Sequence, residues 1–183
     1  MAGYKYTYQK FEPKEMVRTV GINLPISTKI SVEIASFIKG KQIDKAIAYL
    51  EQVVVEKKAI PFKKRVSDIP HRKGMRTGRF PRKASVYIVD LLNGLKSNAQ
   101  NQGFDTSKMI IVHAVAQKGA VIFHHGRQRT KRKNTHFEIV AKQVEEIKGK
   151  KKKAKPAEKK PEEKKTQSET KVSAVPTSKG GSE

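Results

Sequence analysis

Two stretches rich in arginine and lysine hold most of the chemistry that can be read from this sequence. Residues 57–83 contain 11 Lys or Arg and one acid, Asp68, and residues 117–137 contain six Lys or Arg and no acid. In the first, GMRTGRFPRKAS sets Arg76, Arg79, Arg82 and Lys83 around Gly74, Gly78 and Pro81, with Lys63, Lys64, Arg65, His71, Arg72 and Lys73 upstream. A guanidinium receives phosphate through two parallel N–H bonds, and glycine lets a backbone approach a polymer closely. A merely solvated loop is the competing reading, but it leaves eleven cations repelling one another with almost no counter-charge. In the second stretch, Arg127, Arg129, Lys131, Arg132 and Lys133 follow Phe123, His124 and His125. Rings beside cations suit stacking on unpaired bases with phosphate contacts alongside. For Phe123, packing within a hairpin is an equal alternative.

Other chemistries find little support. With no Cys in the chain, disulfide frameworks, thiolate zinc sites and cysteine nucleophiles are excluded. His124 and His125 are adjacent, so a regular strand points them to opposite faces, and no paired carboxylates stand nearby to complete a metal site. His113 lies in an apolar run and reads as a core residue. His71, in IPHRKG, suits either a nucleic-acid contact or a turn cap. No phosphate-cradling Gly-Lys loop, serine elbow or HExxH motif is present. Asp44 falls at a helix start, where its charge suits the dipole. Asp90 lies on a helical face away from the apolar stripe, and neither acid has a histidine close in sequence. These observations point to a binding protein without cofactor or metal rather than to an enzyme.

The chain has 183 residues, 40 Lys plus Arg against 17 Asp plus Glu, and a formal net charge of +23. That length suits one domain with room for a tail. A charge so far above the roughly 2–8 typical of a small soluble domain requires a polyanion to neutralise it. No apolar run approaches the ~20 residues that span a bilayer, and MAGYKYTYQK lacks the apolar middle of a secretory signal. Residues 148–183 hold 12 Lys, five acids and no aromatic residue. So little apolar surface cannot offset the entropy of ordering, and this Lys-rich tail is expected to be disordered. The remaining 1–147 keep a net charge of +16, from 28 basic and 12 acidic residues.

These cations need elements to hold them. Ser27 is placed to cap a helix over about 28–39, marked by Ile30, Ile34, Phe37 and Ile38 and stopped by Gly40. Ile43, Ile47, Leu50 and Val54 mark a second helix, which must end before Pro61. A third starts near Lys83, with the stripe Ile88, Leu91, Leu92, Leu95 and Ala99, and stops at Gly103. The three stripes can share one small core. The period then changes. Met109–Ala116 is β-branched and apolar. Thr135–Val144 alternates, with Phe137, Ile139 and Ala141 on one face and His136, Glu138 and Lys142 on the other, so the two form an antiparallel pair. Eighteen residues lie between them, long for a plain loop. Continued outward as strands they make a hairpin arm, over about 109–144, reaching roughly 26 Å beyond the core. Such an arm has almost no core of its own and is stable only against a partner.

The order of these pieces resembles a known family. A basic loop ending in GRFPRKAS leads into SVYIVDLLNGLKSNAQNQGFD, then MIIVHAVAQKG, then a basic arm HHGRQRTKRKNTHFEIV. NLPISTKISVEIASFIKGKQIDKAIAYLEQVV and AIPFKKRVSDIPHRKG fit the N-terminal half. Together they are similar to the universal large-subunit ribosomal protein twenty-two family in its archaeal and eukaryotic form, over roughly residues 10–146. The resemblance implies an α+β fold: three helices packed on a small antiparallel sheet, with a long projecting β-hairpin. It implies a non-enzymatic structural part of the large subunit of the cytoplasmic ribosome. The partners implied are ribosomal RNA, neighbouring ribosomal proteins and the nascent polypeptide, with no membrane and no homo-oligomer. By matching position, residues 63–83 clamp RNA beside the body, and Arg127, Arg129, Lys131, Arg132 and Lys133 contact it along the arm. The resemblance likewise implies that Ala120, Val121, Ile122, Phe123, His124, His125, Gly126 and Arg127 form the tip that lines the polypeptide exit tunnel.

The chain departs from the family pattern in three places. The segment AVIFHHGR is more apolar and aromatic than usual before the Gly-Arg step, 117–133 is slightly short, and the Lys-rich tail is extra. The competing readings are a general DNA- or nucleic-acid-binding protein, a membrane-surface protein anchored by its polybasic tail, and an RNA-modifying enzyme. The first shares the charge but not the order of elements. The second lacks a lipidation signal, and the third lacks a polar dyad.

Overall fold

The computed structural model of the protein describes residues 4–64, 66–127 and 129–144. The tail expected at 148–183 lies outside the described residues, as does Arg65. Three helices form where the apolar stripes predict them: α1 (Thr28–Ile38), α2 (Ile43–Val54) and α3 (Arg82–Asn101). Ile34, Ile38, Ile43, Leu50, Ile88, Leu92, Leu95 and Ala99 are buried in one cluster, while Ile30, Phe37, Ile47 and Leu91 pack at its margin. Ser27 precedes α1 in extended geometry, but its hydroxyl makes no capping bond. Its carbonyl closes the first turn instead, accepting the Ser31 amide at 2.9 Å and the Ser31 hydroxyl at 3.0 Å. Gly40 takes a φ of +81°, which only glycine adopts freely. Its amide then reaches the Ile111 carbonyl at 2.7 Å, fastening the turn between α1 and α2 to the sheet.

The sheet has three antiparallel strands rather than the pair expected. Strand β1 (Met16–Leu24) was not expected from the sequence. Two short strands, β2 (Ile60–Pro61) and β3 (Gly78–Arg79), pair with each other and close the basic loop. The expected pair is β4 (Met109–Lys118) and β5 (Thr135–Gln143), and the order across the sheet is β1-β5-β4. β5 is therefore hydrogen-bonded on both edges, with Met16 opposite Lys142 on one side and Met109 opposite Gln143 on the other. The alternation of β1 is blurred by exposed Arg18, by Gly21 and by Asn23 at φ +56°, where the register shifts.

One face of the sheet carries Val17, Ile111, Phe137, Ile139 and Ala141 into the helical core. The opposite face carries His136, Glu138 and Lys142, as the alternation places them, and it too is partly covered. Glu138 and Val140 are fully buried, because the N-terminal segment lies across them. The Glu138 carboxylate accepts the Tyr4 hydroxyl at 2.6 Å, the Thr7 amide at 3.0 Å and the Thr7 hydroxyl at 3.1 Å. Burial and the neighbouring carboxylate push the Tyr4 phenol well above its ordinary range. Tyr8 lies against His113, ring centroids 5.1 Å apart. Burial holds His113 below its ordinary value, in keeping with a neutral packed imidazole. A buried carboxylate is tolerable only when donors satisfy it, and each charge-assisted bond contributes about 1.5–3 kcal/mol.

In urea titrations, deleting residues 1–8 is expected to lower the unfolding free energy by more than the ~1.5–3 kcal/mol of a single such bond. Glu138→Leu in the shortened chain should restore part of the loss, since no carboxylate then lacks donors. An unchanged midpoint on deletion would show that the segment does not hold Glu138.

Candidate nucleic-acid interface

The basic loop begins where β2 ends and returns at β3. Glu33 on α1, 2% exposed, accepts the backbone amides of Lys63 at 3.1 Å and Lys64 at 2.9 Å. The carboxylate thus holds the backbone and leaves both ammonium groups exposed. Thr77 closes the loop by donating its hydroxyl to the Phe62 carbonyl at 2.8 Å and accepting the Phe62 amide at its own carbonyl at 3.1 Å. Within the loop, a turn at Arg72–Met75 uses Gly74 at φ +78°. The His71 ring meets the Arg76 carbonyl, so His71 does bind a turn within the loop. Arg72 stacks over Phe80 at 5.0 Å, and Arg79 donates to the Asp68 carbonyl at 3.4 Å. Arg72, Lys73, Arg76, Arg79, Arg82 and Lys83 are all exposed. Arg82 also pairs with Glu56 at 3.5 Å, an exposed contact of little energetic weight.

The arm leaves the sheet at Lys118 and returns at Thr135. Regular strand stops there, but pairing continues. Amide–carbonyl bonds link Gly119 to Asn134 at 3.1 Å, Arg132 to Ile122 at 2.7 Å and His124 to Thr130 at 3.1 Å. Two outgoing residues, Ala120 and Val121, thus face one returning residue, Lys133, which is a bulge. The turn comes at Gly126, φ +71°. His124, His125, Gly126 and Arg127 are therefore the tip, whereas Ala120 and Val121, expected there, lie at the base. Asn134 fixes that base by donating its side-chain amide to the Ala120 carbonyl at 3.1 Å. A Cβ on Gly119 would sit 2.7 Å from the same side chain. Every described residue from Ala120 to Lys133 is exposed, including Val121, Ile122 and Phe123 at 47%, 46% and 55%.

Loop and arm meet at the start of α1. Thr135 Oγ1 donates to the Ile26 carbonyl at 2.9 Å and lies 2.8 Å from Thr28 Oγ1, tying the returning strand to the helix start. Between them opens a groove of about 670 Å³. Its cations are Lys29, Lys64, Lys118, Lys131, Arg132 and Lys133, and its one carboxylate is Glu33, already engaged by two amides. A neighbouring depression joins Arg82 and Lys83 to Lys133, and another joins Lys64 and Arg79 to Lys29. The structure thus brings Lys64, Arg79, Arg82 and Lys83 of the first stretch together with Lys131, Arg132 and Lys133 of the second. His71, Arg72, Lys73 and Arg76 sit farther out along the loop, and Arg127 and Arg129 towards the tip. Lys29, Lys118 and Glu33 were not expected. Lys29, in the first turn of a helix whose other face is apolar, carried a readable signal; Glu33 did not. Among the described residues no three His, Asp or Glu gather where they could hold a metal, and no helix is long and apolar enough to cross a membrane.

The family model for ribosomal protein L22p/L17e matches residues 19–142. That span runs from β1 through the loop, α3 and the whole arm. The chain belongs to the ribosomal protein L22p/L17e family. Curated relatives, each called large ribosomal subunit protein uL22, come from archaea. The Archaeoglobus fulgidus protein is 42% identical over 125 residues, 67% of this chain and 81% of its own. The Methanococcus aeolicus protein is 39% identical over 138 residues, 70% of this chain and 90% of its own. The Staphylothermus marinus protein is 32% identical over 157 residues, 79% of this chain and all of its own. The L22p/L17e family is one of structural ribosomal proteins, not enzymes.

Because Glu33 is the inward tie of the loop, Glu33→Ala should cost about 1.5–3 kcal/mol of stability. It should also accelerate hydrogen exchange at the Lys63 and Lys64 amides beyond the global change. Unaltered exchange there would mean that the loop is held by Thr77 alone.

Proposed function

We propose that the chain is a structural constituent of the large ribosomal subunit in the cytoplasm, where it binds ribosomal RNA and supports assembly of the subunit. The observation that carries this reading is the cationic groove at the base of an arm with no core of its own. Lysines and arginines from α1, the loop and the arm converge there, with their one neighbouring carboxylate turned inward. Phosphates threaded along the groove would supply the missing counter-charge, and RNA packed on both sides of the arm would supply the missing burial. The names of the relatives and the family match support the same partner, with other ribosomal proteins as neighbours.

The finer roles follow from position. Lys63, Lys64, Arg65, His71, Arg72, Lys73, Arg76, Arg79, Arg82 and Lys83 form the body's RNA contact. Arg127, Arg129, Lys131, Arg132 and Lys133 form that of the arm. The tip, with exposed Phe123, His124 and His125 flanking Gly126, lines the nascent polypeptide exit tunnel. The tip carries side chains that can pack on a passing chain without binding it through a pocket. The chain acts as a single copy.

Fractionation of native lysate on sucrose gradients should place the chain with the large subunit, and it should remain there in salt that strips loosely bound basic proteins. Recovery at the top of the gradient, or with chromosomal DNA, would overturn the ribosomal reading. In hydrogen exchange of the free protein, amides at 120–133 should be nearly unprotected apart from the few paired ones, and should slow once the chain is in the subunit. Equal protection in both states would show that the arm orders itself.

A further inference from the structure

At the opposite end of the sheet from the arm lies a second cationic pocket. The arm springs from the end where Leu24 faces Thr135, whereas Arg18 faces Val140, about 20 Å away along the strand. The Arg18 guanidinium lies 4.3 Å from the Tyr6 ring centroid and 4.4 Å from that of Phe11. Ring contacts of this kind use the faces of the guanidinium and leave its N–H donors free at the rim. Among the described residues Arg18 forms no ion pair, the four found lying elsewhere. The two rings thus hold a donor fork in place without an acceptor, and they do so at the wall of a pocket of about 490 Å³. The far wall is the carboxyl end of α3, with Asn98, Asn101 and Gln102. Asn98 donates its amide nitrogen to Thr19 Oγ1 at 3.1 Å, which leaves its amide oxygen to accept.

The pocket's chemistry is asymmetric. On one wall the charged group is the Arg18 guanidinium, which can only donate. The other offers amide oxygens at the negative end of a helix dipole, which disfavours a phosphate or a carboxylate. A guanine matches both walls. Its O6 and N7 accept from an arginine fork, a common bidentate pairing, while its N1–H and N2–H₂ donate to amide oxygens. Adenine would set an amino group against the fork. Uracil and cytosine offer no comparable pair of acceptors beside a pair of donors. We propose that the pocket formed by Tyr6, Phe11, Arg18, Asn98, Asn101 and Gln102 receives a single unpaired guanine of the bound RNA. The proposal rests on the RNA-binding reading above and adds a base-reading contact at the end of the body away from the arm.

The test uses the full chain, free in solution. Two labelled RNAs are compared, an oligouridine with one central guanosine and the plain oligouridine of equal length, in salt high enough to weaken phosphate contacts. The guanosine-bearing RNA should bind at least about fivefold more tightly, the lower bound for a good bidentate pair. Arg18→Lys keeps the charge and removes the fork. It should abolish that preference while leaving oligouridine binding unchanged. In the unmodified chain, the Arg18 Nε–H resonance should shift with the guanosine-bearing RNA and not with oligouridine. Equal affinities for the two RNAs, a preference retained in Arg18→Lys, or an Arg18 resonance that responds only to an acidic peptide would overturn the proposal, the last in favour of a protein neighbour. If Arg18→Lys fails to fold, the resonance and the preference of the unmodified chain decide. These outcomes are separate from co-sedimentation with the subunit, so either reading can fail alone.

Discussion

A carboxylate buried in the central strand constrains everything packed around it. Glu138 lies in a strand bonded on both edges and covered on both faces, out of reach of water. Three donors satisfy it, all from Tyr4 and Thr7, more than 130 residues away in sequence. The N-terminal segment must therefore cross the outer face of the sheet, and β1 must follow where it lands. The same strand begins at Thr135, whose hydroxyl anchors the start of α1. Hence the strand that requires the strap also sets the direction of the arm and the width of the cationic groove beside it.

The two acids buried among the described residues act alike. Glu33 and Glu138 bind backbone amides and hydroxyls, not lysines or arginines. Among the described residues the four ion pairs are all between exposed side chains, where a pair contributes little. Acidic groups therefore organise the fold, while most of the positive charge faces outward. This division lets a domain with so large an excess of cations fold at all. It also leaves the field at the groove strong, because the nearest carboxylate is already engaged.

Much of this could be read from the sequence because helices announce themselves through local spacing. The stripe Ile88, Leu91, Leu92, Leu95 and Ala99 and the positive-φ stops at Gly40 and Gly103 depend on neighbours within a few residues. β1 could not be read in this way. Its pattern is broken by Gly21 and Asn23, and what makes it a strand is pairing with residues over 110 positions away. Alternation in β5 put His136, Glu138 and Lys142 together on one face. Periodicity records which side chains share a face; it does not record what later covers that face. In the interface, clusters of cations were visible as composition, but Lys29 and Lys118 join them only through the fold. Glu33 left no signal of its own, because its role depends on the loop that crosses it. The expected tip began at Ala120, whereas pairing that runs from Lys118–Thr135 to His124–Thr130 puts the turn at Gly126, and local spacing does not record how far two strands stay paired.

That bulge gives the arm an uncommon freedom to change. In a paired ribbon, an unmatched residue absorbed as a bulge leaves the pairs beyond it facing as before, while one residue added to each strand lengthens the ribbon by a pair and exchanges the two faces beyond it. The stretch at Ala120 and Val121 already absorbs one unmatched residue next to a base clamped by Asn134. Facing beyond it is therefore set by the returning strand, and Phe123 stays opposite Lys131 whether or not the unmatched residue is kept. Two matched pairs inserted beyond the bulge extend the tip with its facing kept, while one pair turns Phe123 and its neighbours to the other side. A lineage could then re-aim the end of this arm by one residue in each strand, leaving the groove and the body beneath it untouched.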